Sequence, residues 1–306
     1  MERENIVKGT ILSLTGASLW GLCAVAAKYV MGEKQVDPVW MVCLRLISAG
    51  AVLLLIALFS EKRSGGNTGS HGITDLLRDK SSWPRLLAVA VLAFDVCQVT
   101  YFAGIDYSNA GIITAIQQTA PVFVLLWTLF KEKRGPRAVE IIVLILVIFG
   151  AFMLATGGDL GALIIPLIAL ILGIISAITS AMYTLLPGKL MEKHGTFEAI
   201  GWGMLIGGII LIPFVQLWNV SGIWDGRTLA VFSFIVLFGT VGAFTTYLSG
   251  VSIVGPVKGS IYGLIEPVVA TIASALILHQ SFSITDYIGI LAILGGVAAL
   301  SLHRKK

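Results

Sequence analysis

Ionisable side chains inside apolar segments are the residues of this 306-residue chain best suited to bind a ligand or a proton. Asp95, Glu266 and Arg45 each lie in a run long and apolar enough to cross a membrane. An ionisable group in the hydrocarbon costs about 2.5–3.5 kcal/mol on insertion scales, so it usually faces a cavity or a partner. Several uses stay open. A carboxylate binds a cationic group or a proton, or Glu266 serves the geometry of the helix at the proline that follows it. Arg45 pairs with a carboxylate and locks two helices, or it reaches toward the outer headgroups.

Neutral polar and aromatic side chains accompany these groups at helical spacings. Gln98 and Tyr101 follow Asp95 at intervals of three, which predicts a partly continuous stripe on one helix. Interhelical hydrogen bonding and anchoring of Tyr and Trp at the membrane interface are the alternative uses. The candidate substrate-binding residues are Trp20, Asp95, Gln98, Tyr101, Gln117, Gln118, Tyr183, Tyr247, Tyr262 and Glu266.

The segments that carry these residues are related by an internal repeat with an offset of 146 residues. Its landmarks in the first copy are Tyr101, Gly104, Pro121, Val122 and Gly150. Their counterparts, without a gap, are Tyr247, Gly250, Pro267, Val268 and Gly296. Internal duplication in an apolar chain is typical of secondary transporters, whose substrate site lies between the repeats.

Composition places the repeat in a membrane protein. The mean hydropathy is +0.92 and only 12% of residues are charged, against roughly 25% in a soluble domain. The chain contains ten apolar spans, at residues 9–31, 38–59, 84–104, 109–130, 138–156, 161–186, 197–217, 228–251, 257–279 and 284–303. We therefore predict an all-α integral membrane protein in the cell membrane, with lipid as its surroundings.

Five spans per half is an odd number, so the second half must insert upside down relative to the first. The sequence thus predicts two inverted five-helix repeats, at residues 9–156 and 161–303. Seventeen of the 21 basic residues fall on one side of this topology, which places both termini in the cytoplasm. The fifth and tenth spans carry almost no polar residues, so they are expected to face lipid or a second copy in a homodimer.

Short motifs along nearly the whole chain identify a family resemblance. They are Ser18-Leu19-Trp20-Gly21, Arg45, Thr119-Ala120-Pro121-Val122-Phe123 and Leu264-Ile265-Glu266-Pro267-Val268-Val269. As a set they resemble the ten-helix EamA-type carriers of the drug/metabolite transporter superfamily. The resemblance implies a central cavity built largely from the first, third, fourth, sixth, eighth and ninth helices, which would hold a small organic solute.

Other function classes find little support in the residues. The histidines His71, His194, His279 and His303 are scattered, and neither an HExxH nor a GxSxG motif is present. No enzyme activity, cofactor or nucleic-acid partner is expected. The prediction is a secondary transporter of an amino acid, amine or related metabolite, with export favoured. Import by the same fold is the alternative, a passive channel is less favoured, and a proton or other coupling ion stays open.

Overall fold

The computed structural model describes residues 2–63, 73–159 and 163–303, and within them the chain is helical with no β-strand. The α-helices in chain order are α1 Glu2–Gly32, α2 Pro38–Arg63, α3 Asp75–Arg78, α4 Trp83–Ala88, α5 Cys97–Tyr107, α6 Ala110–Gln117, α7 Ala120–Glu132, α8 Ala138–Thr156, α9 Leu167–Leu185, α10 Gly188–His194, α11 Thr196–Val215, α12 Gly226–Val236, α13 Ala243–Val254, α14 Pro256–Gly263, α15 Ile265–Ile277 and α16 Ile284–His303. A 3-10 turn, Lys80–Ser82, precedes α4.

Within the described residues, eight helical runs are long and apolar enough to cross a membrane, and two shorter apolar helices follow. Numbered as the first to tenth spans, they are Asn5–Gly32, Pro38–Phe59, Lys80–Tyr107, Ala110–Glu132, Ala138–Thr156, Leu167–His194, Thr196–Val215, Gly226–Val254, Ile261–Ile277 and Ile284–Leu300. Each overlaps a span predicted from hydropathy, which confirms the all-α integral membrane fold. Residues 64–72, residues 160–162 and the basic Arg304, Lys305 and Lys306 lie outside the described residues.

The fourth and ninth spans are each interrupted by a break in the helix. The break in the fourth lies between α6 and α7 at Gln118, and the break in the ninth lies between α14 and α15 at Leu264, 146 residues later. Pro121 and Pro267 each follow the break by three residues, in the first turn of the next helix. Proline has no N–H to continue a helical ladder, so the backbone can open there. The paired prolines thus mark equivalent interruptions.

Other local features recur at the same offset. The third span contains a π-helical stretch, Val89–Val96, and the eighth contains one at Leu237–Gly242. The fifth span begins with Glu140, which accepts a hydrogen bond from the Arg137 N–H at 2.7 Å. At the start of the tenth, Asp286 accepts one from the Ser283 N–H, also at 2.7 Å. An acidic residue there is favourable because the first N–H groups of a helix lack backbone partners.

Helix packing follows the same two-fold pattern. The first span packs on the eighth and ninth, and the sixth packs correspondingly on the third and fourth. The second packs on the seventh, the fourth on the ninth and the fifth on the tenth, so each of these pairs joins one half to the other. The polar side chains of the third, fourth, sixth, eighth and ninth spans are thereby collected between the halves.

The fifth and tenth spans meet through a close backbone approach. A Cβ added to Gly150 would lie 2.6 Å from the Gly289 carbonyl oxygen, and one added to Gly289 would lie 2.8 Å from that of Gly150. Only glycine permits this spacing. On another side of the same helix pair, Ile148 is 68% exposed and Leu291 is 67% exposed. The pair therefore combines an inter-half contact with an outer apolar surface.

Candidate functional site

The two helix breaks are joined by a side-chain hydrogen bond. Gln118, at the break in the fourth span, donates from Nε2 to the Glu266 carboxylate at 3.0 Å. Glu266 lies in the first turn of α15, directly after the break in the ninth span. The contact links the two halves at the place where both backbones depart from continuous helix. Irregular backbone at membrane depth is tolerated where it is buried in protein or lines a cavity.

Arg45 forms a second bridge between the halves. Its side chain is 4% exposed, and Nε donates to the Thr240 hydroxyl at 2.8 Å in the π-helical stretch of the eighth span. Nη1 donates to Gln98 Oε1 at 2.8 Å in the third span, and the guanidinium lies 4.9 Å from the centre of the Phe102 ring. Arg45 is near enough to Glu266 for their charges to interact, although no ion pair joins them among the described residues. The polar centre, formed by Arg45, Gln98, Gln118, Thr240 and Glu266, therefore holds a guanidinium and a carboxyl group that are not in direct contact.

Hydrogen bonds also join the third, fourth and sixth spans beside this centre. Gln117 donates from Nε2 to the Ser176 hydroxyl at 2.6 Å. The Tyr101 hydroxyl lies 2.7 Å from the Thr114 hydroxyl. Both contacts involve residues of α6, one turn or less before the break. They hold the first half of the broken helix against its neighbours.

Aromatic rings form a continuous wall across the first, third, sixth and eighth spans. The Trp20 ring lies 4.8 Å from that of Tyr247 and 5.1 Å from that of Phe244. Tyr183 packs edge-on against Phe244 at 5.9 Å and against Phe94 at 5.7 Å. Such edge-on and tilted contacts suit the aromatic quadrupole. The ring contacts thus connect the two halves of the chain.

Two candidate residues lie in other surroundings. Tyr262 and Glu266 are four residues apart in the sequence, but the break at Leu264 places them in different helices, α14 and α15. The Tyr262 hydroxyl instead accepts a hydrogen bond from Thr10 of the first span at 3.1 Å. Asp95 packs toward Gly207 of the seventh span, and among the described residues it makes no hydrogen bond to Gln98 or Glu266. The eight other candidates take part in the contacts described above. The hydrogen bonds include Gln98, Tyr101, Gln117, Gln118 and Glu266, and the aromatic wall includes Trp20, Tyr183 and Tyr247.

An ion-pair cluster joins the halves at one end of the bundle. Asp79, before the third span, accepts hydrogen bonds from Lys193 at 2.5 Å and from the hydroxyls of Ser81 and Ser82 at 2.6 Å. His194 Nε2 lies 3.2 Å from the same carboxylate. Bonding to Lys193 and to the two serines holds the pKa of Asp79 well below its usual range. Lys193 and His194 belong to α10, in the other half.

A corresponding pair closes the opposite end. Lys34, after the first span, bonds Asp225 at 2.6 Å, before the eighth span. Asp225 also accepts hydrogen bonds from the Thr228 N–H at 2.8 Å and the Thr228 hydroxyl at 2.9 Å. The bond from Lys34, followed by those from Thr228, holds the pKa of Asp225 well below its usual range. The second cluster again takes its cation and its carboxylate from different halves.

Several of these residues were missed as site candidates. Thr240 and Phe244 lie in an apolar segment where a single threonine or phenylalanine is unremarkable. Asp79 and Asp225 lie at the ends of spans, where charges are expected. The signal that links the two aspartates is the repeat itself, because they also differ by 146 residues.

Comparison with known proteins gives the family. The EamA-like transporter family matches residues 7–156 and again residues 167–302. The uncharacterized inner membrane transporter YicL of Salmonella typhimurium is 30% identical, over 98% of this chain and 97% of its own. The uncharacterized transporter YetK of Bacillus subtilis is 26% identical, over 97% of this chain and 88% of its own.

A solved crystal structure shares the fold. It superposes with a TM-score of 0.61 and 16% sequence identity, and it covers 97% of each chain. Two matches to one family model within the chain agree with the repeat seen in sequence and in helix packing. The protein is therefore a multi-pass membrane transporter, and it belongs to the EamA-like transporter family.

Proposed function

We propose that this transporter is a secondary carrier that moves a small organic solute across the cytoplasmic membrane by alternating access. The observation that carries the proposal is the Gln118–Glu266 hydrogen bond between the two broken helices. A site built from both halves can face either side of the membrane when the halves rock against each other. The partners of the carrier are then a small-molecule solute and the lipid bilayer, and no catalytic step is proposed.

The two halves, at residues 9–156 and 161–303, are inferred to be inverted repeats. Five spans in each half require opposite insertion, and the symmetric packing of the spans supports an exchange of conformations between halves. The excess of Lys and Arg in alternate loops supports cytoplasmic termini. In that orientation the Asp79 cluster lies at the cytoplasmic end and the Lys34–Asp225 pair at the outer end.

These two clusters are proposed to be the gates of the carrier. Each joins one half to the other, and each is formed here, which corresponds to a conformation closed at both ends. Opening toward the cytoplasm breaks the bonds between Asp79 and Lys193, while opening outward breaks the bond between Lys34 and Asp225. Exposed ion pairs are weak enough to break and reform during such a cycle.

The chemistry of the polar centre supports an amino acid, an amine or a related metabolite as the solute. Glu266 suits a cationic group of the solute and Arg45 suits an anionic one. The aromatic wall that includes Trp20 suits apolar or aromatic parts of the solute. Small-molecule sites combine apolar walls with a few polar groups that fix orientation. Export is the favoured direction, and an importer of the same fold is the alternative.

Transport assays on purified protein in liposomes test the proposal. A thermal-shift screen against a metabolite panel first finds solutes that bind the folded state, because such ligands stabilise it by mass action. A carrier then gives saturable flux and counterflow of the labelled solute. Glu266→Gln is expected to lower the flux, whereas Glu192→Gln, an exposed carboxylate outside the clusters, serves as the matched control. Flux that never saturates would favour a passive channel.

A further inference from the structure

We propose that Asp95 is a proton-binding site separate from the polar centre, through which solute movement is coupled to proton movement. The inference rests on the carrier function proposed above. It concerns a residue that the contacts around Arg45 and Glu266 leave out. Proton binding there consists of one carboxylate oxygen taking up one proton, and release is the reverse, so no further reactant is needed.

The carboxyl group of Asp95 is enclosed and without partners. Its side chain is 4% exposed, and neither oxygen has a hydrogen-bond partner among the described residues. An ionised carboxylate in such surroundings loses the solvation that water gave it and gains no ion pair in exchange. The neutral acid avoids most of this penalty. In the conformation closed at both ends, Asp95 is therefore expected to hold a proton.

The described groups nearest Asp95 offer it no compensating positive charge. From the second span, the Cys43 thiol lies within electrostatic range, and its Sγ donates to the Gly208 carbonyl at 3.2 Å. The seventh span presents Gly207 to Asp95, whereas Tyr183 of the sixth span packs on the neighbouring Phe94 ring. Arg45, also on the second span, directs its bonds to Thr240 and Gln98. No described basic side chain lies within ion-pair distance of Asp95.

The space around the carboxyl group is small enough to select a proton. A Cβ added to Gly207 would lie 2.5 Å from Asp95 Oδ1 and 3.0 Å from the Ala90 carbonyl oxygen. A metal cation requires several oxygen ligands, and the glycine surface of the seventh span supplies no side-chain oxygen here. A proton needs only the carboxylate. Separation of the third and seventh spans would admit water and allow the proton to exchange.

The π-helical stretch provides a reason for this placement. Asp95 lies in Val89–Val96, where the wider helical turn changes the direction of the side chains that follow α4. The carboxyl group is thereby turned toward the seventh span, while Gln98 of α5 bonds Arg45. Single-turn π distortions are frequent at functional sites. Because Asp95 and Gln98 lie in the same span, a change in the protonation of Asp95 can be transmitted to the hydrogen bond between Gln98 and Arg45.

Infrared spectroscopy of the purified protein during a pH titration tests the proposal, with the proton as the only ligand. A protonated carboxylic acid has a carbonyl stretching band that disappears on ionisation. We expect this band in the wild-type protein near neutral pH and in Glu266→Gln, and a weaker band in Asp95→Asn. A pH-indicator titration should find one proton fewer released per chain by Asp95→Asn.

Three results would overturn the proposal. The first is an acid band in Asp95→Asn equal to that of the wild type. The second is no acid band in Glu266→Gln, a measurement that does not depend on the Asp95 variant folding. The third is a wild-type band that Na⁺ removes at constant pH, which would indicate a metal-cation site. None of these measurements involves a solute, so they are independent of the transport assay. Solute counterflow without an acid band from Asp95 would reject the proton site alone. An acid band from Asp95 without counterflow would reject the proposed carrier function.

Discussion

Asp79 and Asp225 occupy equivalent positions at opposite ends of the bundle. They are 146 residues apart, each caps the start of a helix through a serine or threonine, and each bonds a lysine of the other half. The two lysines, Lys34 and Lys193, are themselves 159 residues apart. Both ends are therefore fastened by the same arrangement of residues, used once in each half.

The first prediction concerns access to the interior. Asp225→Asn should open the outer end more often, and Asp79→Asn the inner end, because each loses the charge that holds its lysine. Cys97, buried beside Ser176, is the reporter thiol. Its alkylation by a membrane-impermeant maleimide should accelerate from the outer side in Asp225→Asn and from the cytoplasmic side in Asp79→Asn.

Matched controls for this experiment lie next to the two lysines in the sequence. Glu33 and Glu192 are exposed carboxylates outside the ion-pair clusters, one near each end. Their conversion to glutamine should leave the labelling rate of Cys97 unchanged. Acceleration from the same side in both aspartate variants would contradict the assignment of one gate to each end.

The second prediction concerns pH. The pKa of Asp79 is lowered in the folded state by Lys193, Ser81 and Ser82, so its ionised form stabilises the fold. That contribution is complete above the unfolded value, about 3.9, and declines as the pH falls below it toward the folded pKa. Asp79→Asn should therefore unfold at a lower temperature than wild type at neutral pH, and the difference should shrink below about pH 4.

Thermal unfolding in detergent across this pH range measures the effect. Glu192→Gln should match wild type at every pH, since its carboxylate lies outside the cluster. A melting-temperature difference between Asp79→Asn and wild type that stays constant down to pH 3 would exclude titration of Asp79 as its cause.

The third prediction concerns the contact between the fifth and tenth spans. Gly150→Ala places a methyl group 2.6 Å from the Gly289 carbonyl oxygen, so the two helices must separate. The expected loss of stability is about 1–3 kcal/mol, as for overpacked cores. Gly295→Ala, on the tenth helix with nothing within 4 Å of the added atom, is the control. It should change stability by no more than about 0.5 kcal/mol, and equal effects of the two variants would contradict the close approach.

The fourth prediction concerns the polar centre. Glu266→Gln keeps the shape of the side chain and removes its charge, so a solute with a cationic group should bind less well. A lost interaction of about 1.4 kcal/mol corresponds to a tenfold weaker affinity. The flux into liposomes, measured at increasing solute concentrations, reports the weaker affinity as a higher half-saturation concentration of the solute. If both Glu266→Gln and Asp95→Asn keep wild-type flux and pH dependence, neither carboxylate serves transport.

Much of the fold could be predicted because its signals are local. Apolar length fixes the spans, and proline fixes where the fourth and ninth spans break. The Gln118–Glu266 contact was not predictable, since it depends on how the halves dock. The predicted stripe from Asp95 to Gln98 assumed a regular α-helical period, and the π-helical stretch Val89–Val96 changes that period. Asp95 consequently faces a different neighbour from Gln98.

The central claim is that the two ion-pair clusters act as alternating gates, and paired cysteines test it most directly. Asp79→Cys with Lys193→Cys introduces a cysteine pair at the inner end, and Lys34→Cys with Asp225→Cys introduces one at the outer end. Each pair is placed in a chain whose native cysteines are replaced. A short bifunctional thiol-reactive cross-linker, or oxidation to a disulfide, should link each pair. Alternating access predicts that either link abolishes solute flux and that cleavage of a disulfide by reductant restores it. Undiminished flux through either fully cross-linked protein would contradict the mechanism.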